Sequence, residues 1–464
     1  MILQAKFVRV VLFIFWVIAA NSICAQQINI HRALEESRKN FPSIKARAAE
    51  VSSSQQDVQA SYSEYIPKIS IQHQYTYGTS NSIAGAFYPN PAVISPSGGI
   101  RAENNYTATW GSFTSGLFEW NAFNFGKVSA NVNAAKATLA NNEAAYENEV
   151  FQHQVRVADA YLLTLIAKKL SDIQHANLER ATFFRQIVEA GVRSGMRPGV
   201  DSSLAHAEYL KASLSLLDSK RNEKAQAYRL AELTGTFIEE APEIDSMNFF
   251  TSLPVSRDTG KTVNIINPQL NVYHTRMLST QARSVAIKRS FLPSISFVGA
   301  AWARGSGVSP ADDSFHTDFA SGTHYSVYNY LVGVSSRWII TDYVPVRQRY
   351  RSEKFRAIRD QELYQEQNLR VQRQLKESSM QYDVVLDQAR TAPQQLASAL
   401  QAYQQASARY KSGLTDLPTL LQSMITLNRA EADLAIAYSS VWRSLLAVAA
   451  AKGDLSVFLE SVTE

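Results

Sequence analysis

Two stretches of the chain carry the same punctuation at the same spacing. Pro42 precedes Pro67 by 25 residues, and Pro268 precedes Pro293 by 25. Trp120 precedes Gly195 by 75, as Trp338 precedes Gly413. Gly195 to Gly235 is 40, and so is Gly413 to Gly453. Only the step from proline to tryptophan differs, 53 residues against 45. A length change confined to one place marks a surface loop. A chain written this way folds as two copies of one unit.

Each copy holds one very long helical segment, about residues 125 to 193 and 346 to 412, rich in Ala, Asn, Glu and Lys. At ~1.5 Å per residue such a helix is a rod on the order of 100 Å, far beyond the globular norm. RSGMRPGVD (193–201) and KSGLTDLPT (411–419) end these segments with the residues that break helices. Past the breaks, Leu420, Met424, Leu427, Leu434, Ala437 and Val441 recur in steps of three and four. Leu210, Leu214 and Leu217 do the same in the first copy. The spacing predicts coiled-coil walls rather than a thick globular core.

A second period appears after Pro67. In KISIQHQYTYG, Ile69, Ile71, His73, Tyr75 and Tyr77 alternate with Lys68, Ser70, Gln72, Gln74 and Thr76. Tyr328, Tyr330, Val332 and Val334 alternate with Asn329, Leu331, Gly333 and Ser335, and NYTATWGS (105–112) reads the same way. Strands of ten or so residues with one apolar, aromatic-edged face suit a tilted membrane strand. They also suit a half-exposed sheet in a soluble domain. Two strands per copy make four per chain, too few to close a barrel, and lipid forbids open edges. If the sheet is in a membrane, the chain must oligomerise, and three copies give twelve strands. The connections at about 79 to 104 and 305 to 324 are the surface loops where the copies differ in length.

Composition narrows the function. Lys6 and Arg9 followed by VVLFIFWVIAA read as an export leader ending near Ala25. The single cysteine, Cys24, lies within it and is either removed or a lipidated first residue. No later stretch offers about twenty uninterrupted apolar residues. Net charge is +5, falling to +3 without Lys6 and Arg9, and no basic run predicts nucleic-acid binding. There is no HExxH, no Cys pair, no G-x-S-x-G and no phosphate-binding glycine loop. An enzyme is not expected, nor a cofactor or metal. His316 and His324 share a loop, and His153 and His206 read as helix wall or surface residues. Pro67 and Pro293 read as joints where helix gives way to strand.

The duplicated Asn/Phe-Pro and Leu/Ile-Pro motifs, FNFG after Trp120 and the two SG breaks resemble the TolC-like outer-membrane efflux proteins over about residues 28 to 455. The resemblance implies a mixed α and β fold. It comprises a long helical coiled-coil barrel below a trimeric twelve-stranded transmembrane β-barrel, four strands per chain. It implies residues 1–25 as leader, 26–240 and 267–455 as repeats, 241–266 as an equatorial linker and 456–464 as a tail. It implies an exit duct in the outer membrane, partnered by a periplasmic adaptor, an inner-membrane transporter and lipid. Gating and docking then fall at the helix-to-helix turns, on Gly195, Arg197, Pro198, Gly199, Asp201, Gly413, Thr415, Asp416, Pro418, Thr419 and Gln422. Some relatives place acidic rings six and nine residues past the second glycine, where Thr419 and Gln422 stand here. Arg197, Asp201 and Asp416 are expected to make the polar or ionic contacts that hold the tip shut, with Asp201 as helix N-cap the simpler reading. A periplasmic coiled-coil scaffold or adaptor without a barrel is the competing reading.

Overall fold

A computed structural model describes residues 29–79, 81, 102–235, 249–254, 267–309 and 311–463. The leader, Cys24, most of the first long loop and most of the 241–266 linker lie outside the described residues.

The elements obey the repeat. After α1 (Ile30–Asn40), the first copy runs α2 (Pro42–Ser63), β1 (Lys68–Gly78), β2 (Thr109–Phe123), α3 (Lys127–Arg193) and α4 (Gly199–Thr234). The second runs α5 (Pro268–Arg289), β3 (Ser294–Ser306), a short α6 (Phe319–Thr323), β4 (Val327–Arg337), α7 (Tyr343–Lys411) and α8 (Leu417–Lys452). A final α9 (Ser456–Thr463) stands where the sequence suggested only a tail. α3 and α7 are single helices of 67 and 69 residues, and α7 continues through Pro393. α4 and α8 both end on a glycine in the left-handed region, Gly235 (φ 71°) and Gly453 (φ 83°). There the terminal glycine NH bonds back into the last turn.

By contacts the chain forms two compact units, and each draws on both repeats. The repeats are therefore units of sequence, not of packing. One unit comprises residues 50–143 and 273–364 and contains the sheet. All four strands pair antiparallel in the order β1-β2-β3-β4, leaving β1 and β4 as edges. The turns entering β1 and β3 are pinned identically. Trp120 Nε1 donates to the Tyr65 carbonyl (2.9 Å) and Trp338 Nε1 to the Phe291 carbonyl (3.1 Å). Pro67 and Pro293 sit directly before β1 and β3.

The register puts Ile69, Ile71, Tyr75, Tyr77, Trp110, Phe118, Trp120, Phe297, Tyr328, Tyr330, Val332 and Val334 on one face. Much of it is open: Ile71 is 81%, Tyr330 84% and Val332 80% exposed. Aromatic rings gather at both ends, Tyr77 against Trp110 (5.0 Å) and Trp120 against Phe297 (6.0 Å). Trp110 and Trp120 lie ten residues apart on β2, ~33 Å along a strand. At the usual tilt that matches an apolar band of ~25 Å between aromatic girdles. The other face carries Lys68, Gln72, Gln74, Glu119, Asn329 and Arg337. The strand expected at 105–112 is displaced: β2 begins at Thr109 and runs to Phe123. As an inner strand it places Phe113 and Leu117 opposite Trp110 and Phe118, so its alternation is blurred. The second loop is also more ordered than predicted. Asp318 caps α6 through Ser321 N (2.8 Å), and Phe319 rests on Trp110 and Tyr75.

The other unit comprises the described residues among 1–49, 144–272 and 365–464. Its core gathers Leu34 of α1, Tyr161, Leu162 and Leu165 of α3, Leu230 of α4, Tyr382 of α7, Trp442 and Leu445 of α8, and Phe458 of α9. Segment 249–254 is strapped to this core. Trp442 Nε1 donates to the Phe249 carbonyl (3.1 Å) and the Tyr382 hydroxyl to the Pro254 carbonyl (3.0 Å). By length and composition α8 could cross a membrane, but Leu420, Met424, Leu427, Val441 and Trp442 are buried. The stripe predicted on α8 is thus an internal seam. The stripe predicted on α4 is not: Leu210, Leu214 and Leu217 are exposed, and Ala205, Ala212, Leu216 and Leu230 turn inward.

His153 corrects the sequence reading most. It is wholly buried, stacked on Phe41 (3.8 Å between centroids). Its Nε2 lies 2.8 Å from the Leu233 carbonyl. A carbonyl only accepts, so Nε2 carries the proton. Nδ1 is buried without a partner among the described residues. Burial first, then Arg156, holds the ring below the usual imidazole range, against the raising effects of Leu233 and Glu149. The folded state therefore disfavours the second proton. This contribution is full above the unfolded value of about 6.5 and is lost as pH falls through the lower folded value. Melting temperature is expected to fall between pH 7.5 and 5.5, and His153→Gln to flatten that slope from a lower plateau. Equal slopes would remove His153 from the account.

Candidate functional site

Both long helices stop by the same mechanism. α3 ends at Arg193, and Gly195 adopts φ 70°. Gly195 N then bonds the Val192 carbonyl and Met196 N the Gly191 carbonyl, both at 3.0 Å. In the second copy Gly413 has φ 75°. Gly413 N bonds Tyr410 O (3.0 Å) and Leu414 N bonds Arg409 O (2.8 Å). This paired pattern satisfies carbonyls that a helix end otherwise leaves bare, and the left-handed residue it needs is glycine.

The two helices restart differently. Asp416 is the N-cap of α8, its side chain accepting from Thr419 N (3.2 Å). Thr419, through its hydroxyl and then its amide, holds the Asp416 carboxyl below the usual carboxylate range. Pro418 lies in the first turn, which needs no amide there. α4 starts after Pro198 without a side-chain cap, with Gly199 its first residue. Asp201 is therefore not the cap. It sits in the first turn, where the helix dipole favours a carboxylate. Thr415 is half-buried in the bend, whereas Thr419 and Gln422 are exposed on α8.

Arg197 joins the two tips of one chain. One guanidinium nitrogen donates to the Tyr410 carbonyl at 2.6 Å, and the group lies 4.2 Å over the Tyr410 ring. Its stem folds across Gly191, where an added Cβ would come within 3.0 Å of Arg197 Cγ. Tyr410 is only 1% exposed and packs with Phe184, Val188, Ala205, Leu417 and Leu420. The first tip's cation thus covers the C-terminus of the second tip's long helix, where positive charge is favoured. Burial, with Asp201 nearby, pushes the Tyr410 hydroxyl up against the opposing pull of Arg197.

Of the three charges singled out in sequence, then, the fold gives each its own place. Among the described residues Arg197, Asp201 and Asp416 form no ion pair with one another. Tyr410 and Gly191 were missed, because their part depends on packing between repeats that no local pattern displays. Arg180 was missed as well. It grips Glu431 with two hydrogen bonds (2.9 and 2.6 Å), tying α3 of the first hairpin to α8 of the second. Among the described residues no group of three His, Cys, Asp or Glu side chains could hold a metal. Phosphate-binding loops and nucleophile elbows are lacking in the sequence too.

Solved structures share this fold. The outer membrane protein VceC of Vibrio cholerae superposes with a TM-score of 0.72 at 17% identity, covering 92% of this chain and 96% of its own. The CmeC outer membrane channel of Campylobacter jejuni gives 0.74 at 15%, covering 91% and 85%. The MtrE outer membrane channel of Neisseria gonorrhoeae, in its open state, gives 0.67 at 14%, covering 92% and 89%. No curated relative is matched in sequence. The sequence profile described as Outer membrane efflux protein matches residues 33–236 and 264–454, nearly all of both repeats. The chain belongs to the outer membrane efflux protein family.

Proposed function

We propose that this outer-membrane exit duct works as a homotrimer whose strands close a twelve-stranded barrel. We further propose that its helix tips form both the gate and the docking site for a periplasmic adaptor and inner-membrane transporter. The observation that carries the barrel is the sheet itself. It has a lipid-compatible face between two aromatic girdles and two unpaired edges, β1 and β4. Lipid does not tolerate open edges, and other copies of the chain supply the missing neighbours. A periplasmic scaffold has no use for such a face.

For the gate, the supporting feature is the Arg197 contact with Tyr410, which holds both tips of a chain together. Gly195, Pro198, Gly199, Asp201, Gly413, Thr415, Asp416, Pro418, Thr419 and Gln422 shape the turns that an adaptor would meet. With Thr419 and Gln422 exposed and uncharged at the second tip, cation selection by an acidic ring there is not part of the proposal. Deleting the protein is expected to raise retention of a fluorescent efflux dye in cells, with recovery on complementation. The protein is expected in detergent extracts of the outer membrane. Release with the periplasm on osmotic shock would overturn the duct.

A further inference from the structure

We propose that the helical unit carries a binding site for a small apolar monoanion, an aromatic carboxylate or sulfonate, on the flank of its core. The proposal uses neither the barrel nor the gate. The site is a cavity of about 420 Å³ where α3, α4 and α8 meet. That falls within the ~300–1,000 Å³ of sites for small organic ligands. It is well above the ~30 Å³ that one water fills in the liquid.

The floor of the cavity is apolar. Leu446 is 2% exposed and belongs to the core, and Val155 and Leu233 pack against that core. The small Ala447 lines the cavity without filling it. The rim is charged, and the sequence explains why. On α3 and on α4 an arginine is followed three residues later by a carboxylate, Arg156 with Asp159 and Arg229 with Glu232. That spacing keeps both side chains on one face of a helix, and here all four line the cavity. Arg443 of α8 joins them.

The three arginines are not equally engaged. Arg443 Nε donates to Asp159 (2.7 Å), and Arg156 donates to Glu149 (3.0 Å), which does not line the cavity. Arg229 is exposed and makes no hydrogen bond or ion pair among the described residues. Its guanidinium keeps its donors open, in the fork that meets a carboxylate or sulfonate through two parallel hydrogen bonds. A ring attached to that anion would lie on Val155, Leu233 and Leu446 and take their remaining apolar surface out of water. Charge sets the valence. Three arginines against two lining carboxylates leave one positive charge unbalanced. The arginines repel a cation, and Asp159 and Glu232 repel a second negative charge.

Calorimetric titration of the full chain in a nonionic detergent with 2-naphthoate tests the site. One saturable site per chain is expected. Arg229→Gln, which disturbs no other contact, should weaken binding about 10-fold or more. Ala447→Phe, which fills the cavity, should abolish it. Arg221→Gln, at an exposed arginine elsewhere on α4, should leave it unchanged. 2-Naphthamide keeps the ring without the charge, and acetate keeps the charge without the ring. Each should bind about 10-fold more weakly or worse. Absence of saturable binding, equal affinity for naphthoate and its amide, or unchanged affinity in Arg229→Gln overturns the anion site. Acetate binding as tightly as naphthoate overturns its apolar half.

Discussion

Arg197→Ala is expected to raise the resting conductance of the channel in planar bilayers, while Asp201→Ala stays near wild type. Arg197 gives a charged hydrogen bond to the Tyr410 carbonyl and lies over its ring. A hydrogen bond from a charged donor contributes ~1.5–3 kcal/mol, toward the lower end here because Gly413 N still donates to the same carbonyl. A partly exposed cation over an aromatic ring adds ~0.5–1 kcal/mol. A net loss of ~2 kcal/mol shifts the balance of closed and open tips about 30-fold, and in the proposed trimer three chains share one gate. The Asp201 carboxylate makes no hydrogen bond or ion pair among the described residues, so its loss removes chiefly a favourable place in the helix dipole. Arg197→Lys keeps a cation near the carbonyl but not the planar stack, so it should fall between. Resting conductance unchanged in Arg197→Ala would remove the latch from the gate.

The latch shows where sequence reasoning stops. Gly195 and Gly413 announced both hairpins, because only glycine takes that backbone without strain. The equal spacings then placed the two longest helices, α3 and α7, to within a few residues, since one pattern was printed twice. β1 and β4 were legible because edge strands keep one clean face. β2 was not, because an inner strand is covered along both sides and its Gly, Ser and Thr residues carry little pattern. The contact of Arg197 with Tyr410 joins positions 213 residues apart. No periodicity reports on that. Leu210, Leu214 and Leu217 carry a caution of another kind. A leucine stripe declares that something covers it, and among the described residues nothing does. His153 was underestimated because a polar residue at a helical position defaults to the surface, whereas Phe41 and Leu233, from two other helical regions, enclose it.

Trp442→Ala is expected to cost more stability than any other single change in the helical core. The ring is 2% exposed and meets Phe249 (5.0 Å) and Phe458 (6.4 Å). Truncating a buried tryptophan costs ~3–5 kcal/mol through lost transfer energy and the cavity left behind. Here it also strips the Phe249 carbonyl of its donor. Trp442 is the point where α8, the 249–254 segment and α9 converge, so the loss should spread. The helical signal in detergent is expected to melt several degrees lower, with earlier proteolysis around residues 249–254. Trp442→Phe separates the two causes. It keeps most of the volume and loses the hydrogen bond, so ~1–3 kcal/mol is expected. If Trp442→Ala lies within ~1 kcal/mol of wild type, the segment is not held by this ring. The strap would then have to rest on the Tyr382 hydroxyl at Pro254, which Tyr382→Phe removes without opening a cavity.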